Sequence, residues 1–143
     1  MKPDKRIIIF QYPNSLRKNL KDISKEDIEG AVLRIFKGLV HKGETLLGKK
    51  GFELANCHFL KGRMNIRGKN FRFVVLIRLG EIRVVPIKIS SKNSLDGDNL
   101  LITPALLRNA HKKLNEIEAG LFTASCREVQ SDVLLRLPNG LIL

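Results

Sequence analysis

The sequence has little of what usually fixes a chain through covalent bonds or metals. Its two cysteines, Cys57 and Cys126, lie far apart in 143 residues and form no CxxC motif, so neither a disulfide framework nor a zinc site is indicated. The histidines, at 41, 58 and 111, lack the spacing of metal ligands. We therefore predict no metal site and no cofactor, and free thiols are typical of a reducing compartment.

Long apolar runs are missing as well. The run near the N-terminus, residues 7–10, ends at Gln11, and it is too short for the apolar region of a signal peptide. No segment reaches the roughly 20 apolar residues that cross a bilayer. These absences predict a cytoplasmic protein with no membrane partner.

The motifs of two common enzyme classes are absent too. The serines at 90, 91 and 94 lie outside any GxSxG motif, so a serine hydrolase is not supported. The segment GKKG at 48–51 lacks the spacing and the following Ser or Thr of a phosphate-binding P-loop. The distribution of charge therefore becomes the main chemical feature of the chain.

Acidic residues are scarce where basic residues are concentrated. The net charge is +12, from 26 Lys and Arg against 14 Asp and Glu. Residues 41–96 carry twelve basic and four acidic side chains, whereas residues 97–143 carry five of each. Between 54 and 95, Glu81 is the only acidic residue. Because like charges at short range repel each other, this part of the chain is expected to bind a polyanion.

The apolar periodicity predicts an α+β fold. The β-branched segment KRIIIFQYP, residues 5–13, predicts a first strand. Apolar residues at helical spacing then predict a helix over 15–23 and a second helix over 25–39, and Ser24 with Asp27 approximates a capping box between them. We expect this N-terminal helical hairpin to pack on one face of a twisted antiparallel sheet.

The sheet is predicted from strand-like segments at 52–60, 63–79 and 81–89. Gly80, between two β-branched runs, indicates a hairpin turn. Pro86 cannot donate a ladder hydrogen bond, so its strand should lie at an edge or contain a bulge.

The last part of the chain predicts one helix and one strand. Thr103 as N-cap, Pro104 at the first position and Gly120 past the end delimit the helix. The apolar segment 131–143 predicts the strand. We divide the chain into a core, residues 1–96, and a C-terminal elaboration, residues 97–143, that packs on the same domain.

The predicted sheet has a cationic face. Strand alternation places Arg63, Asn65 and Arg67 on one face and Met64 and Ile66 on the other. The neighbouring segments add further basic residues, and we predict that nucleic acid contacts Arg67, Lys69, Arg78, Arg83 and Lys88. The alternative interpretation is an ordinary solvated sheet face.

The same segment resembles a known family. NFR supplies Phe71 and Arg72, LGE supplies a hairpin turn, and SSK supplies Lys92 at the end of the next strand. A basic strand, an aromatic residue followed by arginine, a hairpin and a late basic residue in this order resemble the RelE/ParE toxin superfamily of bacterial toxin–antitoxin systems. The resemblance covers about residues 6–93, so residues 1–96 would form a RelE-like toxin core.

The resemblance implies a function and a set of catalytic residues. The RelE-like branch cuts messenger RNA in the ribosomal A site without a metal and leaves 2′,3′-cyclic phosphate ends. Arg63, Arg72 and Lys92 match its catalytic positions, but Asn65 stands where the family has a second strand lysine and no Tyr or His follows Lys92.

The predicted function is therefore a ribosome-dependent endoribonuclease. Its predicted partners are RNA on the ribosome and a small antitoxin protein, and a homodimer is left open. The alternatives are a ParE-like gyrase inhibitor and a non-catalytic RNA-binding module.

Overall fold

The structure, a computed structural model, describes residues 5–20, 23–48, 54, 56–91 and 102–143. Its strands are β1 (Lys5–Pro13), β2 (Thr45–Leu47), β3 (Cys57–Ile66), β4 (Lys69–Arg78), β5 (Arg83–Ser91) and β6 (Phe122–Gln130). Its α-helices are α1 (Lys25–Phe36) and α2 (Pro104–Glu118), and a 3₁₀ helix covers Asn14–Leu20.

All six strands form one mixed sheet in the order β2-β3-β4-β5-β1-β6. Strand β1 pairs in parallel with β5 and antiparallel with β6, and the other neighbours are antiparallel. The predicted antiparallel sheet is therefore wrong. Local hairpin signals identify antiparallel neighbours, but they contain no information on where the first strand inserts.

The predicted N-terminal helical hairpin is also wrong. After β1, residues 14–20 form a 3₁₀ helix, so α1 is the only α-helix among the described residues before the sheet continues. The segment follows Pro13 directly and has only seven residues, a length at which nucleation of an α-helix is costly. Connecting segments often adopt 3₁₀ geometry instead. The capping box of α1 is confirmed, because Ser24 and Asp27 bond each other's backbone N–H groups.

The helices cover opposite faces of the sheet. On the α1 face, Phe73, Val75 and Ile77 of β4 join a core with the buried side of α1. On the α2 face, the alternate residues Val74 and Leu76 join a second core with the buried side of α2. This alternation follows from the period of two along a strand, and it explains why β4 is a nearly continuous apolar run.

Pro86 lies in the interior of the sheet, because β5 is flanked by β4 and β1. The register between β4 and β5 passes from Val74–Lys88 to Val75–Pro86, which leaves Ile87 as an extra residue. The predicted bulge is confirmed, and the alternative of an edge strand is wrong. Asn109 Nδ2 of α2 donates a hydrogen bond of 3.3 Å to the carbonyl oxygen of Ile87, which ties α2 to the bulge.

The limits of α2 are confirmed, with Thr103 as its N-cap, Pro104 in its first turn and Gly120 at φ +77°. The strand predicted over 131–143 is wrong. Those residues form a tail with one isolated bridge, and its Leu135 and Leu137 are buried in the core of the α1 face. The last strand is instead β6, whose side chains are mostly polar because it lies at the edge of the sheet.

The division of the chain at residue 96 remains a prediction, because it falls in 92–101, outside the described residues. The cytoplasmic location also remains a prediction. No helix in the described part of the chain is long and apolar enough to cross a membrane.

Candidate nucleic-acid interface

Two of the predicted catalytic arginines are direct neighbours. Arg63 of β3 and Arg72 of β4 are cross-strand partners, and both lie on the α2 face. A Cβ atom added to Gly43 would lie 3.7 Å from Nη1 of Arg63 and 3.8 Å from Nη1 of Arg72. Both guanidinium groups therefore approach the same point beside the loop before β2.

Lys61 completes the group, and we call Lys61, Arg63 and Arg72 the cationic cluster. Lys61 precedes Arg63 by two residues on β3, so their side chains share a face. Its pKa lies below the usual 10.5, first because of burial and then because of the positive charges of Arg72 and Arg63. The charges of the cluster are thus close enough to affect each other.

The cluster lacks counter-charges within the described part of the chain. Nη1 of Arg63 donates to the carbonyl oxygen of Lys42 at 2.8 Å, but no ion pair forms with Lys61, Arg63 or Arg72. Nε of Arg72 is buried without a hydrogen-bond partner among those residues. A buried donor without an acceptor costs about 1–3 kcal/mol. An anion beside the guanidinium groups would relieve the charge repulsion within the cluster.

Glu44 is bonded to the backbone of Arg63, but its negative charge is paired with Arg34. Its oxygens accept two bonds of 2.7 Å from Arg34, one of 2.7 Å from the N–H of His41 and one of 2.9 Å from the N–H of Arg63. Burial alone would raise the pKa of Glu44, but these bonds outweigh it and lower the pKa below 4.5. Glu44 therefore stabilises the position of Arg63 without neutralising its side chain.

Arg34 completes this support from α1. Besides binding Glu44, its Nη2 donates to the carbonyl oxygen of Arg63 at 3.2 Å. Both backbone groups of Arg63 are thus bonded by side chains, at a point where β2 no longer pairs with β3. The Arg34–Glu44 pair fixes the strand from which the cluster projects.

Two more of the predicted nucleic-acid contacts lie at the tip of the β3–β4 hairpin. Arg67 is in the turn at φ +53°, and Nζ of Lys69 lies 5.5 Å from the centre of the Phe71 ring. Both residues line a groove of about 930 Å³ between the hairpin and the start of α1. They are separated from the cluster along the strands, and Lys69 shares the α1 face with Phe71, opposite the face that carries the cluster.

The remaining predicted contacts are spread out. Arg78 and Arg83 face each other at the other end of β4 and β5, and Arg83 pairs with Glu81 at 2.6 Å. Lys88 lies opposite Val74, beside the bulge. Lys92, the third predicted catalytic residue, lies outside the described residues. The structure therefore brings together Arg63 and Arg72, but not Arg78 or Arg83.

Sequence analysis missed Lys61 and the loop at Gly43. The signal for Lys61 was present, because the alternation that assigns Arg63 to the cationic face extends two residues back along the same strand. The approach of Gly43 to two arginines from later strands depends on tertiary structure and has no local signal. No group of three His, Cys, Asp or Glu residues that could hold a metal occurs within the described ranges.

A second cluster of charged groups lies between α1 and β6, and it is structural. Glu29 of α1 is 4 % exposed and accepts hydrogen bonds from Tyr12 at 2.5 Å and from Ser125 at 2.8 Å, with Arg127 at 3.4 Å. Burial, followed by the neighbouring Glu29, raises the pKa of Tyr12 far above its usual value. The bonds of Glu29 join α1 to β1 and β6.

Comparison with known proteins assigns no family. No family model matches the chain, and neither the curated proteins nor the solved structures include a significant match.

Proposed function

We propose that the protein binds RNA at the cationic cluster and cleaves it as a metal-independent endoribonuclease. The observation that carries this proposal is the convergence of Arg63 and Arg72 on one point, without an ion pair to either side chain among the described residues. Two guanidinium groups and an ammonium group attract the negative charge of a phosphodiester, and arginine binds phosphate with defined geometry.

Besides the RNA and the cluster, the chemistry requires only a water molecule that accepts the 2′-hydroxyl proton. The 2′-hydroxyl of a ribose gives its proton to a water molecule while its oxygen attacks the adjacent phosphorus. A 2′-O–P bond forms, and the bond from phosphorus to the 5′-oxygen breaks as that oxygen takes up a proton. The products are a 2′,3′-cyclic phosphate and a free 5′-hydroxyl. Arg63 and Arg72 would stabilise the negative charge that develops on the phosphate oxygens, since donors fixed in place before the reaction are most effective there.

Lys61 is the candidate proton donor to the departing 5′-oxygen. Its lowered pKa makes the ammonium group a better acid than an ordinary lysine, whereas an arginine releases its proton too reluctantly for this role. This assignment gives the three members of the cluster two different tasks.

The cellular setting is also part of the proposal. Cytoplasmic messenger RNA on the ribosome as substrate, and a small antitoxin as inhibitor, are supported by the resemblance of residues 6–93 to the RelE/ParE superfamily and by the net charge of +12. A toxin of this kind would be inactive until the antitoxin is removed.

The direct test is to incubate the chain with end-labelled RNA, with and without ribosomes, in the presence of a chelator. We expect fragments that end in a 2′,3′-cyclic phosphate, and loss of these fragments with Arg72→Ala. Arg83→Ala is the matched control, because it removes one positive charge far from the cluster. The absence of cleavage in both conditions would reject the nuclease.

A non-catalytic RNA-binding module is the second candidate. One observation favours it: among the described residues no carboxylate is bonded to a side chain of the cluster, so a protein base for the 2′-hydroxyl proton is not identified. Binding without cleavage would support this candidate. In that case the logarithm of the binding constant should fall linearly with the logarithm of the salt concentration, with a slope of about 0.7 per phosphate contact on single-stranded RNA. Inhibition of gyrase would instead support the ParE-like alternative.

A further inference from the structure

The outer edge of β6 presents unpaired backbone groups. Strand β6 pairs with β1 over its whole length, including Ile9 with Cys126. The N–H of Ile9 donates to Ile82 on the β5 side at 3.0 Å, so the backbone of Ile9 faces β5. Ile9 and Cys126 are therefore a non-hydrogen-bonded pair, and the N–H and C=O of Cys126 point away from the sheet.

The outward direction of the backbone groups repeats two residues before and two residues after Cys126. Ala124 and Glu128 also direct their N–H and C=O groups outward, and their residues are exposed. No backbone hydrogen bond to Ala124, Cys126 or Glu128 from outside the β1–β6 ladder is found among the described residues. Strand β6 has no proline and its register with β1 is unbroken, so it lacks two of the usual protections of a sheet edge.

We propose that β6 pairs antiparallel with β6 of a second copy of this chain, about a two-fold axis at Cys126. Cys126 is the middle residue of Phe122–Gln130, so this register pairs the strand along its full length. The two Cys126 residues would exchange two N–H···O=C bonds, and Ala124 would lie opposite Glu128 on each side. The two sheets become one continuous sheet.

The charges of β6 are compatible with this register. Arg127 lies opposite Ser125 and Glu128 opposite Ala124, so no like charges face each other. A two-fold axis at 127 or 128 would place two arginines or two glutamates in direct opposition, which is unfavourable.

The arrangement also separates the strongest positive charges. Arg72 is on β4, three strands from β6, so two cationic clusters would be about 30 Å or more apart at strand spacings of about 4.8 Å. A dimer through β6 therefore keeps the two cationic clusters far enough apart for salt to screen their repulsion. This proposal does not depend on cleavage of RNA.

The decisive experiment compares Ala124→Lys with Ala124→Glu by analytical ultracentrifugation across a dilution series. Lysine at 124 would face Glu128 of the second copy and tighten the dimer, whereas glutamate would weaken it. The two-fold axis creates two pairs between residue 124 and Glu128. Each variant should therefore change the dissociation constant of the dimer roughly two- to thirtyfold relative to the parent chain, downward for lysine and upward for glutamate. If association were nonspecific, Ala124→Lys should associate less than Ala124→Glu, because lysine raises the net positive charge and with it the repulsion between copies. That result would overturn the proposal.

A second pair of variants tests the backbone bonds. Cys126→Pro removes an N–H that points away from the fold, so it should leave the monomer folded but weaken the dimer roughly 5- to 150-fold through two lost hydrogen bonds. Cys126→Ala keeps the N–H and should dimerise like the parent chain. A parent chain that is monomeric at every concentration, or equal dimerisation of both variants, would overturn the proposal. If Cys126→Pro lowers the melting temperature of the monomer, the comparison of Ala124→Lys with Ala124→Glu tests the proposal instead.

Discussion

The two edges of the sheet differ in charge and in how their backbone groups are satisfied. At the β2–β3 edge, Glu44 and Arg34 bond the N–H and C=O of Arg63, and the cationic cluster lies beside them. At the β6 edge, the groups of Cys126 point outward and the side chains carry little net charge. A capped, charged edge is suited to bind an anion without adding a strand, whereas an open, nearly neutral edge is suited to pair with another strand.

Two ion pairs show the same contrast. In the Arg34–Glu44 pair the side chains are 21 % and 0 % exposed, and in the Lys5–Glu128 pair they are 56 % and 58 % exposed. Removing one partner of a buried pair leaves an uncompensated charge, whereas exposed pairs are screened by water. The β2–β3 edge should therefore be much more sensitive to substitution.

The largest expected effect at the cationic edge concerns Lys61. If it donates the proton to the departing oxygen, Lys61→Met should reduce cleavage by about 10²–10⁴. Because the pKa of Lys61 lies below 10.5, the activity of the parent chain should fall as pH rises through that lowered value.

Lys61→Arg is the matched control, because it keeps the charge but has a pKa above about 12. The residual activity of Lys61→Arg should not fall at alkaline pH in this way. The measurement is the rate of cleavage as a function of pH, corrected for background hydrolysis. An unchanged profile in Lys61→Arg would contradict the role of Lys61.

The second prediction is on stability. Glu44→Gln should destabilise the fold by about 3 kcal/mol, because Arg34 would lose its buried partner. The folded-state pKa of Glu44 lies below 4.5, so its contribution is present above pH 4.5 and is lost as pH falls through the lowered pKa.

Denaturant unfolding at several pH values should therefore show a difference between parent and variant that narrows in acid. Glu81→Gln, at an exposed side chain, is the control and should differ little from the parent. A difference that stays constant with pH would show that the charge of Glu44 is not the cause.

A third prediction separates stabilisation of the transition state from binding. Arg72→Ala should lower turnover by about 10² with little change in RNA affinity, if Arg72 acts on charge that appears only during cleavage. Single-turnover kinetics and equilibrium binding measure the two quantities. A parallel loss of both would identify Arg72 as a binding residue instead.

The smallest expected effect is at the opposite edge. Glu128→Ala removes the exposed pair with Lys5 and should change the stability of the fold by less than about 1 kcal/mol. Thermal unfolding at low and moderate salt checks this. A loss as large as that of Glu44→Gln would remove the contrast between the edges.

Much of the local structure could be predicted because its causes are local. The capping box at Ser24, the limits of α2 at Thr103 and Gly120, and the bulge at Pro86 each depend on residues close in sequence. The strand β6 was missed because an edge strand alternates polar and small residues without an apolar face. The apolar tail was mistaken for a strand because burial in a core gives the same composition.

The candidate site was only partly predictable for the same reason. Strand alternation assigns Arg63 and Arg72 to faces of their own strands, but their opposition depends on the β3–β4 register. The lowered pKa of Lys61 and the unpaired Nε of Arg72 arise from packing. The positions of Arg78 and Arg83, distant from the cluster, follow from the β3–β4 and β4–β5 registers.

By itself, the sequence determined the concentration of positive charge between 41 and 96, the start of α1 and both limits of α2, because each depends on residue identity or on neighbours within one turn. Only the tertiary structure decided that β1 lies between β5 and β6, and that Gly43 meets two arginines from later strands. These contacts join residues far apart in the chain, and their free energy comes from burying a core shared by all the strands, which no single segment encodes.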